Sequence, residues 1–90
     1  MRMNTPLMIA ATTRGSEEDP GVCLGIRFCD VNDVKHMEGL LIKQVRRRYP
    51  QYRDMKPREI RAELLFTVYE VPNPPGRGFP KWLGETGWYY

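Results

Sequence analysis

The stretch NDVKHMEGLLIKQVRRRY, residues 32–49, decides the fold. At 100° per residue, Val34, Met37, Leu40, Leu41, Ile42, Val45 and Tyr49 share one broad arc. Lys35, His36, Gly39, Lys43, Arg46 and Arg47 fill the opposite arc. This is the pattern of an amphipathic helix with one face for a core and a basic back. Asn32 is placed to cap the start, and Asp33 suits the first turn. Pro50 disfavours helical geometry at Tyr49 and ends the helix there. Two charges interrupt the apolar arc. Glu38 lies beside Val45 and Tyr49, and Arg48 lies between Met37 and Leu41; both are expected to flank the core or to mark partner contacts.

Outward from the helix, strand patterns appear on both sides. Residues 6–13 (PLMIAATT) read as a first strand, residues 13–20 (TRGSEEDP) as an acidic turn, and residues 21–31 (GVCLGIRFCDV) as a second strand. Residues 50–57 form a basic connector, and Pro57 opens a short helical turn through Arg61. Residues 63–71 (ELLFTVYEV), rich in β-branched and aromatic side chains, read as a third strand. The 90 residues make one small domain, with residues 1–5 as a loose lead-in and residues 72–90 as a Pro-, Gly- and aromatic-rich tail. The expected class is α+β, in the order β-β-α-β, with a three-stranded antiparallel sheet whose first strand is central and whose helix covers one face.

Alternation assigns the faces. Leu7, Ile9, Ala11, Val22, Leu24, Ile26, Phe28, Leu64, Phe66 and Val68 are expected under the helix. Met8, Ala10, Cys23, Arg27, Cys29, Leu65, Thr67, Tyr69 and Val71 would form the other face, which is too apolar to stand wholly in water. The C-terminal tail, a second copy or a partner is expected to cover it, with Trp82 and Leu83 packed there by the tail.

Net charge is only +3 but unevenly placed. Between Val34 and Arg61 stand Lys35, Lys43, Arg46, Arg47, Arg48, Arg53, Lys56, Arg58 and Arg61, against Glu38, Asp54 and Glu59 alone. The rest of the chain is net acidic. Such asymmetry points to an acidic partner, either nucleic acid or a protein surface. No stretch is long enough to span a membrane. The apolar run from Leu7 to Ala11 is too short for a signal-peptide core, so a cytoplasmic protein is expected.

No constellation for catalysis emerges. Cys23 and Cys29 on one strand stand roughly 20 Å apart at about 3.3 Å per residue, too far for a disulfide or a shared metal. With His36 the only histidine, and on the outer arc, no zinc site can be assembled. Two core cysteines and one surface histidine are the expectation, with no cofactor, no metal and no catalytic residue. Asp30 and Asp33 are explained by helix capping, and no phosphate-cradling glycine loop is present.

In size and in lacking a chemical signature, the chain resembles the small accessory or inhibitor proteins carried by phages and mobile elements. The reading is therefore a non-enzymatic module that docks on a larger protein or complex through a basic helix face, as an inhibitor or adaptor. Its target would be an acidic protein surface, such as one on a machine that handles nucleic acid. Direct RNA or DNA binding is the alternative, and a small metal-independent ribonuclease the third. The expected contact residues are Lys35, Lys43, Arg46, Arg47, Arg53, Lys56 and Arg58, joined by Trp88, Tyr89 and Tyr90 at the end of the tail. A homodimer is compatible with all three.

Overall fold

The computed structural model describes residues 7–71 and 80–89. Strands β1 (Leu7–Thr13) and β2 (Cys23–Cys29) form an antiparallel pair. A 3₁₀ turn (Val31–Asp33) leads into helix α1 (Val34–Arg48), followed by a second 3₁₀ turn (Pro50–Tyr52), helix α2 (Pro57–Glu63) and strand β3 (Leu64–Glu70). Strand β4 (Lys81–Glu85) and a final 3₁₀ turn (Thr86–Tyr89) complete the fold. The class is α+β, with one antiparallel sheet and one main helix.

Among the described residues the sheet has four strands, not three, in the order β2-β1-β3-β4. The order differs from the expected one because β4, drawn from the tail, pairs with the free edge of β3. An unpaired strand edge leaves backbone donors and acceptors without partners, and β4 supplies them. Residues 81–85 of the tail therefore extend the sheet, with Trp82 54% exposed, while residues 72–79 lie outside the described residues.

The helix also differs at its start. Asp33, not Asn32, occupies the N-cap, and its side chain makes no capping bond. The end is as expected: Tyr49 adopts extended geometry before Pro50, and its N–H donates to the Val45 carbonyl at 2.9 Å. In α2 the Lys56 N–H is satisfied by the Glu59 carboxylate at 2.7 Å.

Val34, Leu41, Ile42 and Val45 of α1 pack on Leu7, Ile9 and Ala11 of β1 and Leu64, Phe66 and Val68 of β3. Ile60 and Tyr52 close the same core. Each fully buried aliphatic side chain here contributes roughly 1.5–3 kcal/mol of transfer free energy.

Strand β2 turns the other way from the sequence pattern. Gly25 pairs with Ala11, Arg27 with Ile9 and Cys29 with Leu7, so these three lie on the helix side. Val22 (59% exposed), Ile26 (42%) and Phe28 (59%) are left outside. A bulge beside Ala11 and Thr12 breaks the alternation and still lets Leu24 into the core. The cause is visible at Gly25. A Cβ added there would stand 2.9 Å from the Gln44 amide nitrogen and 3.2 Å from a Leu41 methyl. The helix reaches β2 through the missing side chain, and Tyr49 anchors the contact by donating its hydroxyl to the Leu24 carbonyl at 3.2 Å. A strand turned by one residue would place Ile26 and Phe28 where the helix needs a gap.

Gly25→Val should accordingly cost roughly 1–3 kcal/mol by overpacking, measured as a lower urea midpoint with an unchanged slope. Stability within about 0.5 kcal/mol of wild type would remove the close approach as the determinant of register.

Candidate functional site

The helix C-terminus organises the basic surface. Arg46, Arg47 and Arg48 occupy the last turn of α1, where cations complement the helix dipole. Pro50 then turns the chain through Pro50–Tyr52, and Tyr52 is buried in the core. This brings Arg53 back against the helix, where its carbonyl accepts a bond from Arg46 Nη2 at 3.3 Å.

Two shallow depressions result. One, of about 340 Å³, is lined by Arg27, Leu40, Lys43, Gln44, Arg47 and Arg48. The other, of about 360 Å³, is lined by Lys43, Arg46, Arg47 and Arg53. Lys43 and Arg47 form the ridge they share, and no carboxylate lines either one. Lys43 and Arg47 repel across one helical turn at a cost of roughly 0.2–0.5 kcal/mol. Gly39 on the same arc has open space where a Cβ would stand.

Four of the expected contact residues, Lys43, Arg46, Arg47 and Arg53, are thus brought together. Lys35, at the other end of α1, and Lys56 and Arg58, at the start of α2, are exposed but line neither depression. Trp88 stands apart, edge-on to Trp82 with ring centroids 5.7 Å apart. Tyr89 is half-buried and donates its hydroxyl to the Leu83 carbonyl at 3.2 Å, so it belongs to the fold. Tyr90 lies outside the described residues. Arg27 and Arg48 join the surface unforeseen. Arg27 comes from the turned face of β2 and lines one depression, with its Nε buried and without a hydrogen-bond partner.

A larger cavity of about 420 Å³ lies elsewhere, with Arg14, Glu38, Arg61, Glu85, Thr86 and Trp88 among its walls. Of its charged groups, Glu38, Arg61 and Arg14 are already engaged with one another, with Thr86 or with the backbone. Glu38, expected at the core edge, is 2% exposed. It accepts a 2.7 Å bond from Arg61 Nε and another from the Thr86 hydroxyl. Arg14 donates to the Ala62 and Leu64 carbonyls at 3.3 and 3.4 Å. This network clips α1 to α2 and to the final 3₁₀ turn. The Arg61 side chain is 44% exposed, so solvent screens its share of the ion pair.

The cysteines are both free, but only Cys29 touches the core; Cys23 is exposed rather than buried as expected. Burial, together with the nearby carboxylates of Asp33 and Asp30, raises the Cys29 thiol above its ordinary range. Among the described residues no group of three His, Cys, Asp or Glu is placed to hold a metal, and no helix is long and apolar enough to cross a membrane. No known family model matches the chain, and neither the curated proteins nor the solved structures include a match.

Two outcomes follow. Thr86→Val removes a donor from a buried carboxylate and should cost roughly 1.5–3 kcal/mol in chemical unfolding; a neutral effect would show that Glu38 does not need the hydroxyl. Iodoacetamide should modify Cys23 first, with Cys29 reacting only as pH climbs past the ordinary thiol range and its thiolate forms. Equal rates by mass spectrometry at pH 8 would contradict this order.

Proposed function

We propose that the protein is a small non-enzymatic binding module that docks on an acidic surface of a larger protein or complex. The contact is the C-terminal half of α1 with its flanks from β2 and the loop after the helix. One observation carries this reading: two adjacent, carboxylate-free depressions share the Lys43–Arg47 ridge. Partner carboxylates entering them would relieve the like-charge repulsion between Lys43 and Arg47. Arg46, whose Nη2 donates to the Arg53 carbonyl, presents a guanidinium group with restricted freedom. Such groups lose less entropy on binding than free surface lysines. A modest net charge of +3 suits a local docking patch better than an extended nucleic-acid track.

Direct RNA or DNA binding is the second reading, favoured by the crowding of Arg27, Arg47 and Arg48 on one depression. Guanidinium forks match phosphate oxygens as well as carboxylates. His36 lines neither basic depression, and no observation among the described residues favours a ribonuclease.

Affinity capture from a host lysate, with and without nuclease, separates the two readings. The bait is wild type or the Lys43→Glu/Arg47→Glu double variant. A protein partner that survives nuclease and is lost with the variant is the expected result. Recovery of nucleic acid alone would replace docking by the second reading. In that case log affinity should fall with log salt at a slope reduced by roughly two in the double variant. Unchanged capture by the variant would remove the helix face from both.

A further inference from the structure

We propose that the depression between β2 and α1 is a binding site for a small molecule of the di- or triphosphate class. Its walls are Arg27, Leu40, Lys43, Gln44, Arg47 and Arg48, around about 340 Å³. Leu40, Gln44 and Arg48 stand four residues apart on one row of α1, and Lys43 and Arg47 on the next. Neighbours in such a row are about 5–6 Å apart at Cβ. Arg27 closes the site from the edge strand, on the face of β2 that Gly25 turns towards the helix. Four cations therefore line one small space. None of their ammonium or guanidinium groups makes an ion pair or a hydrogen bond with another described residue.

Arg27 is the member that the fold itself does not explain. The helix dipole accounts for Arg47 and Arg48, which lie in the last turn of α1. It does not account for Arg27, which a strand brings up to cations that repel it. The Arg27 Nε is buried without a hydrogen-bond partner. Buried polar atoms are paired as a rule, so a charged group left over beside three further cations calls for an anion.

Oxygen count selects the chemistry. A guanidinium binds best through two N–H groups to two oxygens of one anion. A carboxylate has one such pair of oxygens and one charge. Three guanidinium groups and an ammonium exceed what it can satisfy. A di- or triphosphate brings several oxygen pairs and several charges in one compact group. The helix end adds carbonyls, not N–H groups, so recognition falls to the side chains. A nucleic-acid backbone spreads its charge at one per nucleotide and needs cations along a track. The cations of this chain are instead concentrated: Lys35, Lys56 and Arg58 line neither basic depression. The volume falls at the lower end of small-molecule pockets. Gln44 adds an amide, and Leu40 an apolar wall for the group that carries the phosphates. The site shares Lys43 and Arg47 with the docking surface but does not rest on that reading, because Arg27 lies off their ridge.

Isothermal titration calorimetry of the purified full chain with sodium pyrophosphate and sodium triphosphate tests this, at ionic strength held constant with NaCl. Saturable one-to-one binding is expected, with sodium succinate, a dicarboxylate, at least about tenfold weaker. Arg27→Gln should weaken pyrophosphate binding by at least about tenfold with unchanged far-UV circular dichroism. Arg48→Gln serves as the second variant if Arg27→Gln does not fold. The Arg27 Nε–H resonance of wild type should move on titration, a readout free of mutation. Absence of saturable binding, or binding that survives both glutamine variants, would overturn the proposal. Succinate bound as tightly as pyrophosphate would overturn it in favour of carboxylates. So would a single-stranded oligonucleotide bound more tightly than pyrophosphate, with affinity growing with length, in favour of a nucleic-acid track. No lysate partner enters these titrations, so failure of the docking reading leaves each outcome unchanged.

Discussion

The contact between α1 and β2 at Gly25 is the constraint on which both surfaces of the molecule depend. A helix sits about 10 Å from a sheet when ordinary side chains intervene, and closer where one is absent. Leu41 and Gln44 occupy the space of the absent side chain. That fixes which residues of β2 point inward, because strand side chains alternate strictly between faces. Arg27 follows Gly25 to the helix side and joins the basic depressions. Ile26 and Phe28 are sent outward, onto the opposite face. The register of β2, with Gly25 against the helix, thus sets the residues of both surfaces.

Glu38 plays a comparable part for the end of the chain. A carboxylate among Val34, Leu41, Ile42 and Val45 is costly to bury unless its oxygens are matched. Arg61 and Thr86 match one oxygen each. The Thr86 bond, together with Tyr89 packed against the core, draws the segment after β4 onto the helix side of the sheet. Gly84 makes the turn feasible: it has φ 123°, a region that disfavours side chains, and the Trp88 ring lies against it where a Cβ would stand. Residues 81–89 thus complete the architecture, with Trp82 and Trp88 in edge-to-face contact at their exposed side.

Much of this was legible in the sequence. The 3.6-residue periodicity of α1 correctly identified Leu41, Ile42 and Val45 as core, and the period-2 pattern did the same for Leu7, Ile9, Leu64, Phe66 and Val68. Those signals are local and strong. The face of β2 was not legible, because Val22, Leu24, Ile26 and Phe28 alternate as a buried set would, and only three-dimensional packing shows that the helix selects Gly25. The fourth strand was hidden as well. Lys81–Glu85 is short, contains a glycine, and lacks β-branched residues, so its strand character comes from pairing with β3 instead of propensity. For the candidate site, the Lys43, Arg46, Arg47 and Arg53 group followed from the helical wheel and the connector. Arg27 did not, since its contribution depends on the register of β2. Lys56 and Arg58 were grouped with them by sequence proximity, which α2 undoes by carrying them along a separate helix.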